Sequence, residues 1–337
     1  MYSAIATILH RTSRQNRPYN ILCAPTHEAY ESNLAKTGHN FYAWRQKGIK
    51  DWRTDYRQLP DNYVLLDGTR GIRQIPLDIK FDFVLSQNKF GQFQILSKLA
   101  EQLHLPIICI EHTLPEPSWS NDMLLGTKKL QGNINLFISE YSRKAWGYEP
   151  TEADVIHHGI DTEKFKPSNE ERQNHVLSVV NDWINRDGPC NFQTWKRVVF
   201  DGKIPYLVLG DTPGLSKPAA SSDELVKAYQ TSRIFLNTSR VSPIPTALLE
   251  AMACGCAVVT TATCMIPEIV KDGQNGFITN NEVEIYNRIQ ELRQNPELAA
   301  KLGEKAMETV VDMFSLDKFV NNWNGFFDKA ANLVYGV

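Results

Sequence analysis

Short apolar runs alternate along this chain with stretches that repeat an apolar residue every three or four positions. In the first half, Asn20–Ala24, Tyr63–Leu66, Phe81–Leu85, Ile107–Ile110 and Asn135–Ile138 are four- or five-residue apolar blocks. Blocks of that length read as strands buried on both faces. Between two of them, Gly91–His104 places Phe93, Leu96, Leu99 and Leu103 at helical spacing, and Pro106 ends the pattern. Ser139 is placed to cap a helix over Glu140–Trp146, and Ala153–Ile156 closes this half.

The polar segment Gly159–Asn174 carries Pro167 and several charges and reads as a linker. The alternation then restarts. Strands are expected at His175–Val180, Tyr206–Leu209, Ile234–Leu236 and Ala257–Thr260. Helices are expected at Asn191–Phe200, Ser222–Ser232, Thr246–Ala253, Glu282–Gln294 and Pro296–Val311. A last helix, from Leu316 to about Leu333, is rich in aromatics. Strands that alternate with helices pair in parallel, so the fold class is α/β, with two successive Rossmann-like, doubly wound units. The expected boundaries are an N-terminal unit over 1–160 with a helical extension at 1–19, and a linker over 161–174. A C-terminal unit over 175–315 and a closing helix over 316–337 follow. Ligands of open parallel sheets bind beyond the carboxyl ends of the strands. With two such units, the cleft between them is the expected site.

Composition narrows the chemistry. The 337 residues suffice for two domains, and a formal net charge of −2 supplies no field for nucleic acid. The six cysteines lack metal spacing, and Cys254-Gly-Cys256 has no second pair nearby, so they read as free buried thiols in a reducing cytoplasm. No apolar run reaches the length of a membrane span, and no secretory leader is visible. In residues 1–19, Tyr2, Ile5, Ile8 and Leu9 share a helical face, followed by His10, Arg11, Arg14 and Arg17. That segment suits peripheral membrane contact or packing on the first unit. The chain lacks Gly-x-Gly-x-x-Gly, the P-loop and Gly-x-Ser-x-Gly, and its histidines lack metal-ligand spacing. Metal and triad chemistry are not expected.

One stretch concentrates the candidate chemistry: VSPIPTALLEAMACGCAVVTTATCMIPEIVKDGQNGFIT, Val241–Thr279. A helix begins after Pro243-Ile244-Pro245, and its first amides form an anion site. Glu250 lies one turn on, among Leu248, Leu249, Ala251 and Met252. Burying an unpaired carboxylate costs several kcal/mol, so Glu250 requires a partner. Phosphate at the helix start with a ribose beside Glu250 describes a nucleotide site.

This stretch resembles the nucleotide-sugar-binding signature of retaining glycosyltransferases of the GT-B fold, the glycosyltransferase family 4-like "glycosyl transferases group 1". VIHHGIDTEKFKP (Val155–Pro167) is similar to the family's interdomain segment. VLGDTPG (Val208–Gly214) is similar to its strand and turn before the base-binding loop, and LFISEYSRKAWG (Leu136–Gly147) to its last first-domain helix entry. Residues 1–100 match only in pattern. The resemblance implies that Glu250 binds the ribose hydroxyls and that Thr246 and Ala247 receive the donor phosphates. It places Arg186 and Asn181 toward the pyrophosphate, Gly210 and Asp211 in the turn before the base, and His112 toward the donor sugar. It implies transfer of a hexose from a nucleoside diphosphate sugar, UDP or GDP, to a glycan, lipid-linked or other hydroxyl acceptor, with retention. No cofactor or metal is implied, and the closing helix is expected to cross back onto the first unit. The acceptor side is expected around Thr26-His27-Glu28.

Departures keep rivals open. The family's first glutamate, which contacts the transferred sugar, is replaced by Ser242, with Pro243 and Pro245 where glycines are usual. Asn181 stands where an arginine is common, and His157-His158 replaces Pro-Asn. A GT-B epimerase, or a degenerate subunit that binds nucleotide sugar or glycan without turnover, remain the alternatives.

Overall fold

The structure, a computed structural model, describes residues 17–54, 57–75 and 78–335, with the side chain of residue 72 outside the description. The helical reading of residues 1–19 falls almost wholly outside these. The chain divides into two compact units. Unit 1 comprises the residues up to Gly159 together with those from Asp317 onward, and unit 2 is Ile160–Leu316.

Unit 1 is built on a seven-stranded sheet of β1 (Asn20–Cys23), β2 (Asn40–Arg45), β3 (Tyr63–Asp67), β4 (Phe83–Ser86), β5 (Ile107–Glu111), β6 (Ile134–Phe137) and β7 (Asp154–Val155). Its order is β3-β2-β1-β4-β5-β6-β7, and every pairing is parallel. The order reverses between β1 and β4, which makes that junction the topological switch point. Helices α1 (Glu28–Ala35), α2 (Phe93–Leu103), α3 (Asn121–Thr127) and α4 (Glu140–Ala145) make its connections. Leu96, Leu99 and Ala100 of α2 are buried with Leu22, Val84, Ile107 and Cys109 in one core cluster. Ser139 caps α4 in a capping box with Ser142.

Unit 2 carries β8 (Gln173–Val179), β9 (Tyr206–Leu209), β10 (Ser232–Asn237), β11 (Ala257–Thr260) and β12 (Phe277–Ile278). Its all-parallel order, β12-β11-β10-β8-β9, reverses between β8 and β10. The expected linker over 161–174 is shortened at its end. Gln173 already pairs with Ser232 across a register shift, so β8 starts two residues before its apolar run. Its longer helices are α5 (Ser222–Thr231), α6 (Thr246–Ala253), α7 (Glu282–Gln294) and α8 (Pro296–Phe314). One cluster joins α6, through Leu248, Leu249 and Met252, to Val310 and Phe314 of α8. Another packs Ile285, Ile289 and Leu292 of α7 against Trp183, Trp195 and Ile234. Helix α9 (Leu316–Tyr335) lies against unit 1. Its Trp323 Nε1 donates to Tyr30 Oη at 3.2 Å, Asp328 accepts from Tyr19 Oη at 2.9 Å, and Tyr335 Oη donates to the Asp82 carbonyl at 2.6 Å.

Four elements were not legible from the pattern: the short α3 and β12, and β2 and α1. Strand β2, NFYAWR, mixes polar ends with aromatics, and α1, EAYESNLA, buries Glu28 and Glu31 where helical periodicity requires apolar residues. Among the described residues no helix is long and apolar enough to cross a membrane.

Candidate functional site

In unit 2 the sequence-predicted residues gather on loops that leave the carboxyl ends of β8, β9 and β10. The β8 loop carries Asn181 and Arg186, both exposed. The Arg186 guanidinium lies 3.4 Å from the Asn181 carbonyl, to which it donates. The side chain of Asn181 accepts from the Asp211 amide at 2.9 Å, so it ties the β8 loop to the β9 loop. Gly210 has φ +115° and its Cα faces the Val180 carbonyl; an added Cβ would lie 2.2 Å from that oxygen. Only glycine fits a backbone that is both left-handed and this close.

After β10 the chain passes Ser242, Pro243 and Pro245 into α6. Ala, Leu, Met and Glu make α6 a strong helix former. It closes in a Schellman arrangement, in which Gly255 (φ +77°) donates to Met252 and Cys256 to Ala251. At its start Pro245 supplies no side-chain cap and the first turn holds no acid. Thr246 is exposed and Ala247 half-buried there. An uncapped N-terminus of this kind favours an anion. Glu250 is half-buried, and the partner that its apolar surroundings demand is Tyr229 of α5, whose hydroxyl donates to Oε2 at 2.9 Å. Burial, and then Glu250 itself, hold the Tyr229 hydroxyl far above its ordinary pKa, so it stays a donor. Sequence reasoning missed Tyr229, which has no motif to mark it.

A cavity of about 290 Å³ lies beside the carboxyl ends of β10, β11 and β12. It is lined by polar side chains including Asn191, Arg240, Thr261 and Glu282, and none of the residues singled out from sequence borders it.

In unit 1, His112 leaves β5 and is buried. The Tyr30 ring meets it edge-on with centroids 4.6 Å apart, and the rings of His27 and His158 lie 5.9 and 6.0 Å away. His112 Nε2 is 3.2 Å from Gln87 Oε1, and Nδ1 is buried with no hydrogen-bond partner among the described residues. Burial, then His158 and His27, hold the His112 pKa well below its ordinary value, so the imidazole is neutral. Behind it, Gln87 Nε2 donates to Glu31 Oε1 at 2.8 Å. Glu31 also accepts from Tyr63 Oη at 2.9 Å and from the Thr26 amide at 3.1 Å. Burial raises the Glu31 pKa to about 7 against the pull of these donors. This network sits at the β1/β4 switch point of unit 1. Of it, the sequence singled out His112 and the Thr26-His27-Glu28 turn, but neither Glu31 nor Gln87. Among the described residues no group of His, Cys, Asp and Glu side chains could hold a metal.

Comparison with known proteins places this arrangement. Residues 217–309, which hold α5, α6 and Glu250, match the family described as Glycosyl transferases group 1. Alpha-maltose-1-phosphate synthase of Mycolicibacterium smegmatis is 32% identical over 218 residues, 50% of this chain and 54% of that protein. N-acetyl-alpha-D-glucosaminyl L-malate synthase of Bacillus anthracis is 27% identical over 107 residues, 31% of this chain and 28% of that protein. The chain thus spans well under two thirds of the length of these curated relatives. Sucrose-phosphate synthase from Thermosynechococcus elongatus superimposes with a TM-score of 0.72 at 13% identity, covering 93% of this chain and 99% of that one. HepE of Anabaena in complex with UDP and glucose gives 0.71 at 13%, covering 93% and 100%. The chain thus has two parallel-sheet α/β units of the GT-B fold, and its residues 217–309, around Glu250, are similar to the group 1 glycosyltransferases.

Proposed function

We propose that this protein transfers a hexose from a nucleoside diphosphate sugar to a hydroxyl acceptor with retention of configuration, without a metal. The observation that carries the reading is the uncapped start of α6 followed one turn later by Glu250, a carboxylate held by Tyr229. The diphosphate sits at the amides of Thr246 and Ala247, with Arg186 as its cation. Glu250 accepts from two ribose hydroxyls, and the turn at Gly210 and Asp211 borders the base. His112 accepts from a hydroxyl of the hexose. As the anomeric carbon–phosphate oxygen bond breaks, negative charge grows on the departing diphosphate. Fixed cations and helix amides aimed there act mainly in the transition state. The acceptor oxygen bonds the anomeric carbon on the same face and passes its proton to the departing diphosphate oxygen. Solved neighbours hold UDP and UDP-glucose, which favours UDP as the nucleotide. A glycan or lipid-linked acceptor, and a cytoplasmic, membrane-peripheral setting, complete the proposal.

A thermal-shift panel of UDP, GDP, ADP and their glucose conjugates tests it. A ligand at a hundred times its dissociation constant adds about 2.7 kcal/mol of stability, which the melt resolves. UDP and UDP-glucose are expected to stabilise the chain, and radiolabelled transfer to acceptors follows from UDP-glucose. Failure of every nucleotide to shift the melt rejects the reading.

Ser242, in place of an acid, favours a second reading, a subunit that binds nucleotide sugar without turnover. Donor hydrolysis or transfer that is lost in Glu250→Ala, with folding intact, excludes it.

A further inference from the structure

The arrangement behind His112 has a polarity that follows from which atoms only accept. Above about pH 7, where Glu31 is ionised, its carboxylate has no hydrogen to give, so the Gln87 atom 2.8 Å from Glu31 Oε1 must be its amide nitrogen. The Gln87 oxygen then faces His112 Nε2 at 3.2 Å, and that nitrogen must carry the imidazole proton. The neutral ring has one proton only, so Nδ1 is left as a lone pair. Nδ1 is also the ring atom that no group among the described residues satisfies. Gln87 is itself held on its other side, since its backbone amide donates to Gln92 Oε1 at 3.1 Å. Gln92 in turn donates to the Pro25 carbonyl at 3.1 Å and to Thr26. Glu31 is fixed by Tyr63 and by the Thr26 amide. Every member of the chain Glu31–Gln87–His112 is buried, so water does not compete for its bonds.

We propose that Glu31 is a positioning residue which, through Gln87, locks His112 in its Nε2–H tautomer and so presents Nδ1 as a hydrogen-bond acceptor for a ligand hydroxyl. Glu31 touches no ligand. It acts by choosing which end of the Gln87 amide faces the imidazole. The last clause of the proposal rests on the reading of His112 above, while the tautomer lock stands on the geometry of unit 1 alone. The arrangement also explains a buried acid in α1 at a position where a leucine would serve the core.

The test is long-range ¹H–¹⁵N correlation on the full chain labelled with ¹⁵N-histidine, with the His112 signals assigned by their absence in His112→Asn. At pH 8, where Glu31 is ionised, the wild type is expected to show one neutral tautomer, protonated at Nε2. In Glu31→Gln the new amide lets Gln87 turn over, and His112 is expected to become a mixture of tautomers or to be protonated at Nδ1. Gln87→Leu is expected to do the same. Each variant should lose about tenfold in the transfer rate from UDP-glucose, the equivalent of one hydrogen bond, while the melt shift given by UDP alone stays within about twofold in affinity. A wild-type His112 protonated at Nδ1 overturns the proposal. So does an Nε2–H tautomer that both variants leave unchanged. A wild-type Nε2–H tautomer lost in both variants supports the lock, and if UDP-glucose neither binds nor reacts in the same preparations, the hexose-transfer reading fails instead.

Discussion

At the carboxyl end of the seven-stranded sheet the polar groups are buried and answer one another; at that of the five-stranded sheet they are open. Glu31, Gln87, Gln92 and His112 form a chain in which, among the described residues, His112 Nδ1 is left unsatisfied. Asn181, Arg186, Asp211 and Thr246 are exposed, and α6 begins without a cap. Both regions stand at a switch point of strand order, so topology does not distinguish them. On the proposed function, the difference lies in what each region meets. A charged ligand brings strong acceptors and can be received by exposed amides and a flexible cation. A neutral hydroxyl brings little, and discriminating its position takes groups fixed in advance.

The comparison breaks most easily at Gly210. Gly210→Ala sets a Cβ against the Val180 carbonyl at a left-handed φ, and is expected to lower stability by about 3–5 kcal/mol, read by urea unfolding. A loss under about 1 kcal/mol would mean that the open loops of unit 2 yield easily.

The buried side should respond to pH. Glu31 has a folded pKa near 7, above its unfolded value, so the folded state holds its proton longer. Stability from this group is full below about pH 4.5, falls between about pH 4.5 and 7, and is flat above, with a total change of about 3 kcal/mol. Glu31→Gln should remove that slope. Chemical denaturation at pH 5 and pH 8 measures it, and equal slopes in both proteins would show that Glu31 is ionised at all these values.

On the open side, Glu250→Ala is expected to weaken UDP binding by roughly ten- to a hundredfold, since on the proposed function it removes charge-assisted bonds to ribose hydroxyls. Calorimetry measures this, and unchanged affinity would move the nucleotide away from α6. Tyr229→Phe should cost less, about fivefold, because the carboxylate stays while its orientation loosens. An effect as large as that of Glu250→Ala would make the tyrosine part of the nucleotide contact itself.

The same contrast explains what could be read from the chain. Parallel strands buried on both faces leave continuous apolar blocks, so IICI, NLFI and AVVT announced their positions. The α6 segment was legible because its helix, its proline entry and its glycine exit are all local. The network of unit 1 was not, because it joins α1, β4 and β5 across more than 80 positions, and no short motif encodes that meeting. Glu31 hid its own helix as well. An acid on the buried side of EAYESNLA erases the apolar period by which α1 would have been found.

Helix α9 has a consequence for the order in which this protein is made. Unit 1 is discontinuous, drawing on residues before Gly159 and after Asp317. Its Tyr19, Phe83 and Tyr30 rings pack on Phe319, Phe327 and Tyr335 of that helix. During synthesis, the first unit to leave the ribosome is therefore the last to be completed. All of unit 2 must emerge while an aromatic face of unit 1 still waits for its cover. For that interval the nascent chain depends on chaperones more than its finished form does, and a premature stop just before Asp317 would leave unit 2 whole and unit 1 open.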